Sequence, residues 1–122
     1  MKIFPATLVC IGLAIIPMQS YAADNACVSL MVGAGYAAKM RVVSGSFSTD
    51  WSNSFAIGHT ECQNIKSVPD GQKYTVQVHA ILGKTADCTP SIAQSSGPGS
   101  ITWQATGTTL NVHCVMPTER TK

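Results

Sequence analysis

The sequence predicts an all-β fold, an antiparallel sandwich or small barrel of about seven short strands stapled by two disulfides. Three observations carry that prediction. From residue 23 onward apolar and polar residues alternate with a period of two, and no helical stripe persists. Glycine, proline and other turn formers break the pattern about every ten residues, the spacing of strands joined by short turns. Four cysteines remain once the first 22 residues are set aside, an even number in a short chain.

Those residues, MKIFPATLVCIGLAIIPMQSYA at 1–22, have the layout of a secretory signal. Lys2 precedes an apolar run at 6–16, Pro17 ends the run, and Ser20 and Ala22 are small residues at the −3 and −1 positions of a cleavage site. The run is shorter than the roughly 20 apolar residues that a membrane span needs, and no second such run follows. Cys10 follows Val9 in mid-run, which does not fit a lipidation site. Removal leaves residues 23–122 as a single disulfide-stapled β domain of about 100 residues with no membrane span. The chain has no Asn-x-Ser/Thr sequon, so a bacterial protein secreted or delivered to the periplasm is expected. Charged residues make up 11% of the chain and the formal net charge is +2, which excludes the clustered basic footprint of a nucleic-acid binder.

The strands follow in order. Residues 27–32 (CVSLMV) form the first candidate, with Gly33-Ala34-Gly35 as its turn. Residues 36–44 place Ala38, Met40 and Val42 on one face and Lys39 and Arg41 on the other; a hairpin over the glycines is expected. Residues 45–54 read as a polar loop carrying Phe47 and Trp51, and 55–65 as extended chain with a bulge or bend at Gly58. Val68-Pro69-Asp70-Gly71 is the clearest turn, because proline presets φ and glycine accepts the left-handed region. The best strand spans 73–83. Tyr74, Val76, Val78, Ala80 and Leu82 share one face; Lys73, Thr75, Gln77, His79 and Ile81 share the other. Residues 84–99 read as a long connection. Residues 100–106 and 108–115 flank Gly107 as a final hairpin, with Ile101, Trp103, Ala105, Leu110, Val112 and Cys114 inward, and 118–122 form a polar tail.

Cys27, Cys62, Cys88 and Cys114 lack the close C-x-x-C spacing of zinc or redox sites. They are expected to form two disulfides, each adding about 2–4 kcal/mol. A hairpin turning at Gly107 sets Cys114 opposite Ser100, where the connection carrying Cys88 rejoins the sheet. Of the three connectivities, that register favours Cys88–Cys114 and leaves Cys27–Cys62.

Chemistry-bearing motifs are sparse. Ser, His and Asp occur without G-x-S-x-G, H-E-x-x-H or S-x-x-K, and the carboxylates are scattered among turns and tails. Cys62, beside His59 and Glu61, is expected to be oxidised and so no nucleophile. No catalytic residue, metal ligand set or cofactor site is assigned. His59, His79, His113 and the methionines Met31, Met40 and Met116 are residue types that exported copper carriers use. His79 and His113 become neighbours if their strands pair. No clustered ligand spacing accompanies them, and Met40 sits in an apolar phase, where thioethers fill cores.

Alternation puts Thr75, Gln77, His79, Thr102, Gln104, Thr109, Asn111 and His113 on outward faces of three strands. If those strands are adjacent they make a flat, nearly uncharged surface of amides and hydroxyls, suited to the rim of another protein or to sugar hydroxyls. Phe47 and Trp51 add aromatic anchors from a nearby loop. A secreted sheet also needs a solvated face, and threonine-rich strands supply one without any ligand. The cysteine spacing and the Pro-Asp-Gly turn are similar in architecture to exported immunoglobulin-like domains, an analogy of fold alone. The expected function is non-enzymatic binding of a protein partner in the envelope or outside the cell, as an inhibitor, immunity protein or adhesin-like module. Carbohydrate binding by the same face is the alternative, and a periplasmic copper-binding protein the lesser one.

Overall fold

The computed structural model describes residues 22–117; residues 1–21 of the predicted leader (1–22) and the tail at 118–122 lie outside the described residues. Nine strands are described: β1 Asn25–Leu30, β2 Ala38–Ser44, β3 Phe47–Ser48, β4 Thr60–Asn64, β5 Lys73–Ala80, β6 Thr85–Asp87, β7 Ile92–Ala93, β8 Ser100–Thr108 and β9 Asn111–Val115. They make two sheets. The first has the order β9-β8-β1-β4; the second has β3-β2-β5-β6, with β7 also on β5. Every pair is antiparallel except β1 and β8, which run parallel.

The period-two pattern explains this arrangement. Ala26, Val28 and Leu30 of β1 and Ile101, Trp103 and Ala105 of β8 are buried from one sheet. Ala38, Met40 and Val42 of β2 and Tyr74, Val76, Val78 and Ala80 of β5 are buried from the other. The two inner faces meet in one core, the packing of a β-sandwich. Trp103 and Tyr74 pack edge to face across it, ring centroids 6.2 Å apart. The Trp103 indole N–H donates to the Pro90 carbonyl (3.3 Å) and the Tyr36 hydroxyl to the Thr106 carbonyl (2.7 Å). Tyr74 Oη has no partner among the described residues.

Both disulfides form as expected, Cys27–Cys62 and Cys88–Cys114. The first joins neighbours: Cys27 lies directly opposite Cys62 in the β1–β4 ladder. The second joins the sheets. Cys88 follows β6 in the second sheet and Cys114 lies in β9 of the first. Beside it the Thr89 N–H donates to the Cys114 carbonyl (3.1 Å), and the Met116 N–H to the Thr89 carbonyl (2.9 Å).

Several local expectations are corrected. Residues 27–32 and 36–44 do not form a hairpin, since β1 and β2 belong to different sheets; the Gly33-Ala34-Gly35 segment crosses between layers. The last hairpin turns at Thr109-Leu110, not at Gly107, which lies within β8 opposite Val112. Cys114 therefore faces Ala105 rather than Ser100, and the Cys88–Cys114 disulfide forms on a different register from the one expected. Leu82 and Leu110 sit in turns and are exposed rather than inward. The 45–54 loop contains β3, and the 84–99 connection contains β6 and β7. With these three short strands, and a single strand in 55–65, the count is nine rather than about seven. The predicted turn at 68–71 is shifted by one: the Gln72 N–H donates to the Pro69 carbonyl (3.1 Å), placing Gly71 (φ 87°) at the third position, as type II geometry requires.

Candidate functional site

The outer face of the second sheet gathers polar side chains in rows set by strand register. Lys39 of β2, His79 of β5 and Thr85 of β6 lie side by side, and so do Arg41, Gln77 and Asp87. Each row is knitted by hydrogen bonds. The Arg41 Nε–H donates to Gln77 Oε1 (2.8 Å), and Gln77 Nε2 donates to Asp87 Oδ1 (2.8 Å). His79 Nδ1 and Thr85 Oγ1 are 2.9 Å apart, the donor depending on the imidazole tautomer. Thr75, further along β5, shares a hydroxyl–hydroxyl bond of 2.6 Å with Ser91.

Trp51 lies over this face. Its ring centre is 4.4 Å from Arg41 Cζ, and its centroid is 5.7 Å from that of His79 at an interplanar angle of 54°. The segment that carries it is held tightly although most of it is not a strand. The Thr49 and Ser52 N–H groups donate to the Val42 and Met40 carbonyls (both 2.9 Å). In return the Val42 and Met40 N–H groups donate to Thr49 Oγ1 and Ser52 Oγ (both 3.0 Å). The hydroxyls thus stand in for backbone carbonyls, as Ser and Thr side chains do where they compete with regular pairing. From the other sheet, Gln63 Nε2 donates to the Asp50 carbonyl (3.0 Å). Polar composition here extends the edge pairing of β2 rather than loosening it.

Beside the indole is an open depression of about 350 Å³ lined by Lys39, Trp51, His79 and Thr85. It offers a flat aromatic face, an ammonium, an imidazole and a hydroxyl. Arg41, its Cζ over the ring, lends the indole cation–π support.

The predicted site residues divide between two surfaces. Trp51, Thr75, Gln77 and His79 come together on the second sheet. Gln104 of β8 and Asn111 and His113 of β9 stand on the first sheet, with Thr102. The three strands thus do not form one continuous face, because β5 lies in the opposite layer from β8 and β9. Phe47 is half-buried and packs against the core, a structural role rather than a free anchor. His79 and His113, on strands of different sheets, are not the paired neighbours that a copper site would use, and Met40 is fully buried. Among the described residues no group of three or more His, Cys, Asp or Glu is placed to hold a metal ion. Arg41, Lys39, Thr85 and Asp87 were missed as site members. Alternation already put Lys39 and Arg41 outward, but their partner strand was misassigned, and Thr85 and Asp87 were read as loop.

Comparison with known protein families, with characterised proteins and with solved structures finds no match for this chain. No helix among the described residues is long and apolar enough to cross a membrane. Two intramolecular disulfides are common in secreted and periplasmic proteins.

Proposed function

We propose that the chain is a small exported, non-enzymatic binding module. It recognises a protein partner in the periplasm or outside the cell through the outer face of the second sheet. The contact of Trp51 with Arg41 carries this reading. Tryptophan and arginine are the residue types that dominate binding energy at protein interfaces. Here they form a pair on a segment fixed by hydrogen bonds, so little ordering remains to be done on association. The leader-like residues 1–22 and the two disulfides support an oxidising destination. Inhibitor, immunity and adhesin-like roles all use such a surface.

Affinity capture from native envelope extract, comparing the intact protein with Trp51→Ala, tests the reading. The partner is retained by the first and lost by the second, while the thermal midpoints stay within a few degrees. Loss of folding in Trp51→Ala, or equal capture by both, overturns it. Carbohydrate binding is the second reading, favoured by the depression beside the indole, where a sugar ring would stack on Trp51 within reach of Lys39, His79 and Thr85. Capture abolished by free saccharide, or specific binding on a glycan array, selects it over the protein reading.

A further inference from the structure

Aliphatic side chains are concentrated at one end of the sandwich. Val115, at the far end of β9, is 51% exposed, but the other large exposed aliphatic residues among those described lie together: Val32 is 86% exposed, Leu82 96%, Leu110 71% and Ile57 44%. They come from four segments: 31–37 between β1 and β2, 56–59 before β4, 81–84 between β5 and β6, and 109–110 between β8 and β9. Backbone hydrogen bonds tie these segments into one surface. The Gly58 N–H donates to the Leu30 carbonyl (2.7 Å), Ile81 to Ala37 (2.9 Å), Gly35 to Gly107 (2.9 Å) and Lys84 to Thr109 (2.8 Å). The opposite end, built from residues 65–72 and 94–99, presents Lys66, Asp70, Ser95 and Ser96 instead.

Leu82 bears two costs at once. The Gly83 N–H donates to the Ala80 carbonyl (2.8 Å), closing a turn in which Leu82 holds the third position with φ 63°. Side-chain-bearing residues rarely adopt that conformation, and turns of this shape place glycine there. The turn keeps a strained leucine pointing into water. Strain held by a side chain that packs against nothing in its own fold is a pointer to function.

We propose that this end is a peripheral membrane contact, with Val32, Ile57, Leu82 and Leu110 entering the boundary between headgroups and acyl chains. Two observations favour a lipid surface over a protein. The knobs are purely aliphatic and project from separate loops at one end of the sandwich. Tyr36, the aromatic residue of these segments, is buried, and no arginine is among them, so the usual anchors of protein interfaces are missing. Charge agrees: the four segments contain no carboxylate, while Lys84 sits next to Leu82–Gly83 and Lys39 rises from the same end on β2. Aliphatic insertion with cations at the rim matches an anionic headgroup layer, and a contact of this size gives reversible attachment rather than a span. Val32, Ile57, Leu82 and Leu110 all lie outside the Trp51 face, and Lys39 alone is shared with it, so variants of these aliphatic residues test the contact separately from the protein-binding reading.

Flotation of the protein with vesicles of phosphatidylethanolamine and phosphatidylglycerol tests the proposal. The intact protein rises with the vesicles. Leu82→Gly suits the backbone at that position and keeps the fold, yet weakens vesicle binding about tenfold; adding Leu110→Ser weakens it about tenfold more. Thermal melts of the same variants report folding, and Leu82→Gly melts no lower than the intact protein. Absence of the intact protein from the vesicle fraction overturns the proposal. So does undiminished flotation of the double variant.

Discussion

Arg41 Cζ stands 4.4 Å from the centre of the Trp51 ring, while Arg41 Nε–H is engaged by Gln77. The arginine thus couples the loop-borne indole to the middle strand of its sheet. An exposed cation–π contact is worth about 0.5–1 kcal/mol. With the Gln77 hydrogen bond lost as well, Arg41→Ala is expected to lower global stability by about 1–2 kcal/mol and to free the indole. Acrylamide quenching reads the difference, because Trp103 is fully buried and Trp51 is half-buried. The quenchable fraction of the fluorescence rises in Arg41→Ala; an unchanged fraction means that Thr49, Ser52 and Gln63 fix the indole without the arginine.

Tyr74 is buried against Trp103 with a hydroxyl that finds no hydrogen-bond partner among the described residues. Burial pushes its pKa from 10.0 up to about 12. Below pH 10 the phenol is neutral in both folded and unfolded chains and has no pH effect. Between 10 and 12 the unfolded chain gives up the proton first, so stability falls as pH rises. The full loss for a shift of that size is about 3 kcal/mol. Tyr74→Phe removes both the unpaired hydroxyl and the titration. Denaturant unfolding at neutral pH should find the variant as stable as the parent or more so, by up to about 1 kcal/mol. Its stability should decline less between pH 10 and 12. An equal decline in both proteins assigns the alkaline sensitivity to other groups, such as Tyr36, whose pKa burial also raises.

The inner faces of β2, β5 and β8 were legible because burial on one side imposes an alternation on the residues themselves. Trp103 and Met40 were placed in the core on that signal alone. Strand partnership was not legible, because alternation says which way a side chain points and nothing about which strand lies alongside. A glycine-rich segment can close a hairpin or cross between sheets, and Gly33-Ala34-Gly35 does the second. That one misreading hid the pairing of Arg41 with Gln77 and of Lys39 with His79, and with it half of the Trp51 face. The short strands β3, β6 and β7 escaped for another reason: two or three residues carry too little periodicity to register. Exposure of Leu82 and Leu110 went unseen because alternation, extended past a strand end, assigns turn residues to a face they no longer share.

The two disulfides differ in what they hold. Loop-closure entropy favours the longer loop: Cys27–Cys62 spans 35 residues and Cys88–Cys114 spans 26, for about 3–4 kcal/mol each. Packing favours the reverse. Cys88 and Cys114 are both buried and bridge the two sheets, whereas Cys62 is exposed and its bond reinforces strands already paired. Replacing Cys88 and Cys114 by alanine is expected to destabilise more than replacing Cys27 and Cys62, because two vacated core positions add a cavity cost to the entropy. Urea midpoints of the two double variants decide this. A larger loss in the Cys27/Cys62 variant makes chain entropy the governing term.

Gly107 and Gly71 both have positive φ, 97° and 87°, and together they separate backbone preference from steric fit. A methyl group at Gly71 meets nothing within 4 Å, so Gly71→Ala carries only the conformational penalty, about 1–2 kcal/mol. A methyl group at Gly107 collides with the Asn111 carbonyl, main chain of the adjoining strand. Neither strand yields easily, since the Gly107 carbonyl also accepts the Gly35 N–H from the segment that crosses between the sheets. Gly107→Ala is therefore expected to cost roughly 2–3 kcal/mol more than Gly71→Ala, in the range of substitutions that force overpacking. Chemical denaturation of both variants measures the gap. Equal losses mean that the β8–β9 hairpin shifts to admit the methyl group without breaking its link to the segment at Gly35.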